Sequence, residues 1–215
     1  MSPDETAMRI GGIILCGGRS SRMGQPKEWL PFGDEVMLQR IVRIVRGVVD
    51  PVTVVAAPGQ DVPELAQEVD IVRDEIEGKG PLGGLAAGLA ALEGRVEAAY
   101  LSSCDVPFLK TAFIAKVLSF LSPASCPLSP EIAVPRIGDY HHPLAAAYRV
   151  SVLPHVRELL AAERLRPVFL FDAVPTRVIE PFELADVDPE FHSLQNLNTP
   201  EEYASALQEL NREGK

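Results

Sequence analysis

The sequence predicts an α/β protein of the three-layer αβα, Rossmann-like type, with a mostly parallel central sheet covered by helices on both faces. Three observations predict it. Short apolar runs alternate with amphipathic or alanine-rich segments, glycine-rich or acidic loops follow several of these runs, and no break in composition divides the chain. With 215 residues the chain is long enough to bury one continuous core. We therefore expect a single domain over residues 1–215, ordered from about residue 8 to residue 211.

The first third of the chain predicts a β-α-β alternation. Ile10–Leu15 is a short apolar run followed by glycines, which is typical of a buried parallel strand that enters a loop. In residues 36–49 apolar side chains recur mostly every three or four positions, with arginines between them, which predicts an amphipathic helix. The pattern then predicts a strand at Val52–Ala56, a short helix at 62–69 and a strand at 71–72.

The remaining elements continue this alternation. A glycine-rich turn at 78–84 precedes an alanine-rich stretch of high helix propensity at 85–92, and a buried strand at 98–101 leads to Asp105. We then expect a helix at 111–121, a strand at 132–135, an apolar run at 144–148 and a helix at 152–162. A closing helix at 200–210 has a well-specified start, because Thr199, Pro200 and Glu202 form a capping-box pattern.

Composition excludes several classes of function. The net charge of −10 argues against general binding of nucleic acid, which requires clustered basic side chains. The three cysteines, Cys16, Cys104 and Cys126, are odd in number and widely spaced, so neither a disulfide framework nor a zinc site is indicated. The first apolar run is too short for a signal peptide or a membrane span. We expect a cytoplasmic protein without nucleic-acid or membrane partners.

Three loops contain residues that suggest chemistry, and each follows a predicted strand. Loop 16–27 follows the first strand, loop 74–84 follows the third, and the turn at Asp105 follows the fourth. In open α/β sheets ligands bind beyond the carboxyl ends of the strands, which meet at one edge. The sequence therefore predicts that these three loops form one site.

The first loop has the composition of a phosphate-binding loop. Gly17 and Gly18 let backbone N–H groups turn toward an anion, and Arg22 and Lys27 can neutralise phosphate charge. Its spacing fits neither the Walker A motif nor the dinucleotide-binding fingerprint. The structural alternative is that the glycines make only a tight strand exit and that the basic side chains are solvated.

Read from Leu15 to Lys27, the pattern Leu-x-Gly-Gly-x-Ser-x-Arg-Met-Gly-x-x-Lys resembles the signature of the molybdenum cofactor guanylyltransferase family of nucleotidyltransferases. Later blocks follow in that family's order. They are Arg73-Asp74 with Gly80-Pro81-Leu82-Gly83-Gly84, Cys104-Asp105-Val106-Pro107-Phe108, His142-Pro143-Leu144, and Asn196-Leu197-Asn198-Thr199-Pro200-Glu201. The resemblance spans about residues 10–210 and implies a fold of the nucleotide-diphospho-sugar-transferase type.

The resemblance implies a Mg²⁺-dependent transfer of GMP from GTP to the terminal phosphate of molybdopterin, with or without molybdenum, and release of pyrophosphate. GTP and molybdopterin would then be the small-molecule partners, with transient contacts to molybdoenzymes or their chaperones. Gly18 fits the guanine-using loop, whereas cytidylyl-transferring relatives tend toward Leu-Ala-Ala-Gly. GTP is therefore expected in preference to CTP.

The resemblance also implies roles for individual residues. The expected catalytic residues are Lys27, Arg22 and Asp105, with Asp105 as the metal ligand, because a carboxylate at a strand end can hold Mg²⁺ beside nucleotide phosphates. The expected nucleotide-binding residues are Leu15, Cys16, Gly17, Gly18, Lys27, Asp74, Gly80 and Asp105. The expected acceptor-binding residues are His142, Asn196 and Asn198.

These assignments have structural alternatives. Asp105 could cap the following helix, Lys27 could be solvated, and the glycines of the second loop could serve helix packing. The two asparagines could stabilise the turn before Thr199, and Cys16 and Cys104 could pack as small hydrophobes. For the whole chain, the alternatives are a nucleotidyltransferase that uses CTP or another phosphorylated acceptor, and a non-catalytic carrier of the molybdenum cofactor.

Overall fold

A computed structural model describes residues 8–17, 23–74, 78–121 and 129–213. It contains ten strands in these ranges: β1 (Ile10–Leu15), β2 (Pro31–Phe32), β3 (Glu35–Val36), β4 (Val52–Ala56), β5 (Val69–Arg73), β6 (Ala98–Ser103), β7 (Ile132–Ile137), β8 (Tyr140–His141), β9 (Ala145–Arg149) and β10 (Thr176–Ile179). The central sheet has the strand order β10-β7-β9-β6-β1-β4-β5, with β8 added beside β7. Strands β2 and β3 form a separate hairpin.

The sheet is mostly parallel, which confirms the sequence prediction. Strands β5, β4, β1 and β6 run in the same direction, with Leu15 in register with both Val55 and Ser103. Strand β9 is antiparallel to both β6 and β7, whereas β10 is again parallel to β7. The reversal at β9 follows from the short connection through β8, because only antiparallel strands can be joined without a long crossover.

Helices cover both faces of the sheet, as predicted. They are α1 (Met37–Arg46), α2 (Gly80–Leu92), α3 (Thr111–Ser119), α4 (Leu153–Ala161), α5 (Val168–Ala173) and α6 (Pro200–Glu213). Alternation along β1 separates two cores: Ile14 packs with side chains of α1 and α3, whereas Ile13 packs with side chains of α2 and α4. None of the helices within the described ranges is long and apolar enough to cross a membrane.

Helix α2 packs closely against β1. A Cβ atom at Gly88 would lie 2.5 Å from the Ile13 Cγ2 atom, and one at Gly84 would lie 2.9 Å from the Leu15 Cδ2 atom. For Gly84, the alternative that the glycine serves close packing of the helix is therefore correct. The helix begins at Gly80, five positions before the predicted start, so most of the predicted glycine-rich turn is its first turn.

The predicted helix at 62–69 is wrong. Residues 61–66 have no regular structure, and Val69 already belongs to β5. The Trp29 Nε1 atom donates to the Asp61 carbonyl and the Gln39 Nε2 atom to the Glu64 carbonyl, so these groups are bonded to other parts of the chain. Helix α5 and strand β10 were not predicted. The capping box of α6 is confirmed by reciprocal bonds between Thr199 and Glu202.

Candidate functional site

The exits of the parallel strands are joined directly to one another. The Cys104 N–H donates to the Leu15 carbonyl at 3.0 Å, which connects β6 to β1, and the Asp74 N–H donates to the Ala56 carbonyl at 2.9 Å, which connects β5 to β4. The described parts of the three predicted loops therefore meet at one edge of the sheet. This confirms the convergence expected from a parallel order of strands.

Five side chains at this edge form a hydrogen-bonded group, which we call the Asp105 cluster: Lys27, Ser103, Asp105, Asn196 and Asn198. The Lys27 Nζ atom lies 2.7 Å from Asp105 Oδ2 and 2.9 Å from Asn198 Oδ1. Asp105 Oδ1 accepts bonds from the Ser103 hydroxyl and from the Asn196 amide, both at 2.7 Å. The side chains of Lys27 and Asp105 are only 16% and 13% exposed, so this pair is partly shielded from water.

Each member of the cluster is positioned by a different element. Lys27 begins a 3₁₀ turn over Lys27–Trp29, and Asp105 follows the end of β6. The Leu197 N–H donates to the Asp105 carbonyl at 2.9 Å, which fixes the segment between the two asparagines against the β6 exit. Side chains far apart in sequence are thereby brought within hydrogen-bond distance of one carboxylate.

The cluster decides between the alternatives for several residues. The Asp105 carboxylate accepts bonds from side chains of the cluster, and α3 does not begin until Thr111, so Asp105 does not act as its helix cap. Lys27 is bonded to two partners and is not freely solvated. Asn196 and Asn198 direct their amides to Asp105 and Lys27, so turn stabilisation does not explain these side chains.

The chemistry of the cluster suits a hard divalent cation. Its oxygen ligands are the Asp105 carboxylate, the Ser103 hydroxyl and the Asn198 amide oxygen, which are ligand types that Mg²⁺ accepts, whereas Asn196 presents its NH₂ group. Among the described residues, no group of three or more His, Cys, Asp or Glu side chains could hold a metal alone. A cation here would therefore share its coordination between Asp105, water and phosphate oxygens, as Mg²⁺ commonly does.

A cleft of about 160 Å³, which we call the His142 cleft, adjoins the cluster. Ser103 and Asn196 line it together with His141, His142, Pro143, Leu144, Ser193 and Leu194. Burial, assisted by the neighbouring His141, lowers the pKa of His142. The His142 ring is consequently neutral near pH 7 and can accept a hydrogen bond. The structure thus brings His142 and Asn196, two of the predicted acceptor residues, to one cleft.

The second predicted loop lies at the same edge, beyond β1 and β4. A Cβ atom at Gly83 would lie 2.9 Å from Asp74 Oδ2, so the Asp74 carboxylate packs against the first turn of α2. Gly80 begins this helix with a positive φ of 60°, and its Cβ would meet no described atom within 4 Å beyond its chain neighbours and its own helix backbone. The roles of Asp74 and Gly80 toward a nucleotide stay predictions.

The first predicted loop is described only in part. Leu15 contacts Gly84, Cys16 is buried, and Gly17 is exposed. Gly18 and Arg22 lie outside the described residues, as does Cys126. The predicted roles of these residues therefore stay predictions.

The two cysteines at the strand exits pack as predicted for small hydrophobic side chains. Cys16 and Cys104 are both buried in the core that contains α1 and α3. A hydrogen bond with Cys16, together with burial, raises the pKa of the Cys104 thiol. A buried thiol of high pKa is a poor nucleophile, so Cys104 serves packing, and Cys16 is buried in the same core.

Three side chains near the cluster were not predicted. Ser103 belongs to the cluster, whereas Glu28 and Gln60 form a partly buried hydrogen bond beside the β1 exit. A polar residue at the end of the apolar strand β6 was a usable signal for Ser103. No spacing rule connects Glu28 to Gln60, because the connection depends on the path of residues 57–61.

Comparison with known proteins gives concordant results. The family model described as the MobA-like NTP transferase domain matches residues 12–175. A "Probable molybdenum cofactor guanylyltransferase" of Mycobacterium avium strain 104 is 34% identical over 196 residues, which are 90% of this chain and 92% of that protein.

Solved structures show the same fold at low sequence identity. Molybdopterin-guanine dinucleotide biosynthesis protein A from Archaeoglobus fulgidus has a TM-score of 0.73 at 18% identity, over 94% of this chain and 99% of that one. The 2-C-methyl-D-erythritol 4-phosphate cytidylyltransferase from Thermus thermophilus has a TM-score of 0.65 at 15% identity, over 93% and 98% of the two chains. At these identities the likeness concerns the fold.

Proposed function

We propose that this chain, which belongs to the family of MobA-like NTP transferase domains, is a molybdenum cofactor guanylyltransferase. It would transfer GMP from GTP to the phosphate of molybdopterin and release pyrophosphate. The observation that supports this most is the Asp105 cluster, because it joins a carboxylate, an ammonium group and two amides at the carboxyl edge of the sheet. The relative from Mycobacterium avium carries the corresponding name.

The reaction is a displacement at phosphorus. An oxygen of the acceptor phosphate forms a bond to the α-phosphorus of GTP, and the bond from that phosphorus to the bridging oxygen of the β-phosphate breaks. The bridging oxygen leaves with the electron pair as part of pyrophosphate. Catalysis of such a step depends on alignment of the two phosphates and on neutralisation of the negative charge that develops on the leaving group.

Asp105 is the proposed ligand of Mg²⁺, with the Ser103 hydroxyl and the Asn198 amide oxygen beside it. When bound, the ion supplies positive charge that neutralises the triphosphate and the departing pyrophosphate. Lys27 adds a positive charge at 2.7 Å from the same carboxylate. Its Nζ atom carries three N–H donors and can bind phosphate oxygens in addition to its present partners.

The nucleotide is proposed to bind along the exits of β1 and β5, at Leu15, Cys16, Gly17, Asp74 and Gly80. Gly80 begins α2, and the partial positive charge at a helix N-terminus favours phosphate. Gly18 and Arg22 are assigned to the nucleotide phosphates from the sequence resemblance. These assignments place GTP on one side of Asp105 and leave the other side for the acceptor.

The acceptor is proposed to bind in the His142 cleft, with Asn196 and Asn198 orienting its phosphate toward the α-phosphorus. The cleft shares Ser103 and Asn196 with the Asp105 cluster, which supports this arrangement. A phosphate monoester is already ionised near pH 7, so the step needs no general base. The neutral His142 ring is assigned to a hydrogen bond with the pterin part of the acceptor.

Turnover with a panel of nucleotides tests the proposal. The purified chain is incubated with Mg²⁺, molybdopterin and GTP, CTP, ATP or UTP, while pyrophosphate is quantified and the product is identified by mass spectrometry. We expect the guanine dinucleotide product with GTP and its loss when the metal is chelated. Turnover with CTP alone would reassign the chain to cytidylyl transfer. Binding of nucleotide without turnover would indicate a cofactor carrier.

A further inference from the structure

The side chain of Gln60 connects the exits of β1 and β4. Its Oε1 atom accepts a bond from the Ala57 N–H at 2.8 Å, at the exit of β4. Its Nε2 atom donates to the Cys16 carbonyl at 2.6 Å, at the exit of β1, and to the Glu28 carboxylate at 2.5 Å. Cys16 precedes Gly17 in sequence, Glu28 follows Lys27, and the Ala57 N atom would lie 3.6 Å from a Cβ atom at Gly17.

The carboxylate of Glu28 determines which way the Gln60 amide is turned. Glu28 is only 4% exposed, and an ionised carboxylate can only accept hydrogen bonds. The NH₂ group of Gln60 must therefore face Glu28, and its second hydrogen reaches the Cys16 carbonyl. Buried polar groups of this kind are costly to leave unpaired, which favours one fixed arrangement.

The main chain around Gln60 is held as well. Arg73 donates to the Gln60 carbonyl at 2.6 Å and to the Ala57 carbonyl at 3.2 Å, and the Trp29 indole donates to the Asp61 carbonyl at 3.3 Å. Residues 57–61 are thus bonded to β5 on one side and to the 3₁₀ turn of Lys27 on the other. Gln60 acts from a fixed position.

Fixing the Cys16 carbonyl has a direct consequence for Gly17. The peptide bond between these residues is planar, and in a trans peptide the carbonyl and the following N–H point in opposite directions. Because the Cys16 carbonyl faces Gln60, the Gly17 N–H faces away from it. Gly17 is exposed at the exit of β1, and its N–H points away from the Gln60 amide.

A fixed N–H donor distinguishes between nucleobases. Guanine carries an acceptor at O6, whereas adenine and cytosine carry an amino group at the corresponding position. We propose that Gln60 is a positioning residue for nucleobase selectivity, which aligns the Gly17 N–H for a 6-oxopurine. The inference rests on the proposed function, since it assigns the base to the first loop.

The chain offers a matched control in Gln39. Gln39 Oε1 also accepts a bond from a backbone N–H three residues earlier, that of Val36, at 3.2 Å, and its Nε2 atom donates to the Glu64 carbonyl at 3.0 Å. Both glutamines are half-buried and connect two main-chain segments. Gln39 lies in α1, away from the Asp105 cluster, so the same substitution there reports the structural part of the effect alone.

The test measures KM and kcat for GTP, ITP and ATP, together with their dissociation constants by calorimetry. For Gln60→Leu we expect KM for GTP and ITP to rise about tenfold, as loss of one aligned hydrogen bond implies, with kcat and the constants for ATP nearly unchanged. Gln39→Leu is expected to keep the wild-type preference. An equal change for all three nucleotides in Gln60→Leu would overturn the proposal, as would a wild type that binds them with equal affinity.

Exchange of the Glu28 and Gln60 side chains separates the contacts of Gln60. Glu28→Gln keeps an acceptor for the Gln60 amide and is expected to retain the preference for 6-oxopurines. The double variant Glu28→Gln/Gln60→Glu preserves a Gln–Glu pair but removes the donor to the Cys16 carbonyl, so the preference should be lost. Retention of the preference in the double variant would overturn the proposal, and this variant serves if Gln60→Leu does not fold. Failure of wild-type turnover would refute the proposed function, whereas the binding constants would still test Gln60.

Discussion

The His142 cleft and a larger cleft beside α1 show how little cavity size says about the site. The larger one, which we call the α1 cleft, has a volume of about 520 Å³ and is lined by Gln39, Val42, Arg43, Arg46, Gly47, Glu64, Leu65 and Ala66. Its cations are paired with neighbouring carboxylates: Arg43 with Glu35 at 2.6 Å and Arg46 with Glu68 at 3.4 Å. The smaller His142 cleft of about 160 Å³ opens instead onto the Asp105 cluster.

The difference lies in where the charged groups come from. Arg43 and Glu35 are eight positions apart and pair across the start of one helix, so their contact is local. Lys27 and Asp105 are 78 positions apart, and Lys27 and Asn198 are 171 apart. A local pair forms as soon as β3 and the first turns of α1 form, whereas the Asp105 cluster requires the whole sheet to form. We infer that chemistry resides at the Asp105 cluster and that the α1 cleft has a structural role.

The largest effect is expected for Asp105→Asn. Loss of the carboxylate charge removes the proposed metal ligand, and guanylyl transfer should fall about 10³-fold, as for loss of a central electrostatic group. Pyrophosphate release under saturating GTP and Mg²⁺ measures it. The matched control is Glu35→Gln, which also removes a carboxylate paired with a cation, that of Arg43 in the α1 cleft. Equal losses of activity in the two variants would contradict the assignment of the chemistry to the Asp105 cluster and not to the α1 cleft.

A smaller loss is expected for Lys27→Met, which keeps the length of the side chain and removes its charge. Activity should fall about 10²-fold because one donor to the departing phosphates is lost. Steady-state pyrophosphate release checks this value. Lys116→Met serves as the control, since Lys116 also pairs with a carboxylate, that of Asp186, at 2.8 Å on the surface. A wild-type rate for Lys27→Met would show that the ammonium group takes no part in the mechanism.

Asn196→Ala should reduce activity about tenfold, because Asn196 donates one neutral hydrogen bond to Asp105 and lines the His142 cleft. We expect the main change in KM for molybdopterin, measured at saturating GTP. The neighbouring, exposed Gln195 provides the control variant Gln195→Ala. An effect confined to KM for GTP would assign Asn196 to the nucleotide side.

The smallest effect on activity is expected at Glu35, where acid stability should change instead. The hydrogen bond from Arg43 lowers the pKa of Glu35 below its ordinary value of 4.5, although burial opposes the shift. A carboxyl whose pKa is lower in the folded state stabilises the protein above the unfolded pKa, and this contribution is lost as pH falls through the folded value.

Urea unfolding at pH 7 and at about pH 3.5, on either side of the ordinary glutamate pKa, measures this contribution. The wild type should lose more stability than Glu35→Gln over this range, while the activity of the variant at pH 7 stays within about twofold of wild type. Parallel losses of stability in both proteins would show that the Arg43 pair contributes nothing at neutral pH.

Much of the fold was predictable because its signals are local. The strand at Ile10–Leu15 follows from an uninterrupted apolar run, and the start of α6 follows from Thr199 and Glu202. The helix at 62–69 was wrong because the carbonyls of Asp61 and Glu64 are bonded by side chains from outside that segment. Side chains from elsewhere in the fold bond to carbonyls that a helix would use, and the local sequence contains no pattern that indicates this.

The residues of the site likewise divide into those that local motifs predict and those that depend on tertiary contacts. Lys27 and Asp105 belong to motifs that can be read directly, and the parallel order of β1 and β6 explains why they meet. Glu28 and Gln60 belong to no motif, and a glutamate after a lysine reads as a surface residue. Their contact depends on the path of residues 57–61, which only the assembled sheet determines.

Paramagnetic broadening by Mn²⁺ in the presence of GTP tests the location of the site most directly. Mn²⁺ replaces Mg²⁺ and broadens backbone amide signals near its binding position in NMR spectra. We predict loss of the Ser103, Asp105 and Leu197 amide signals, with those of Gly47, Leu65 and Ala66 in the α1 cleft unaffected, and no broadening of the first set in Asp105→Asn. Broadening in the α1 cleft with the Asp105 cluster unchanged would contradict the account.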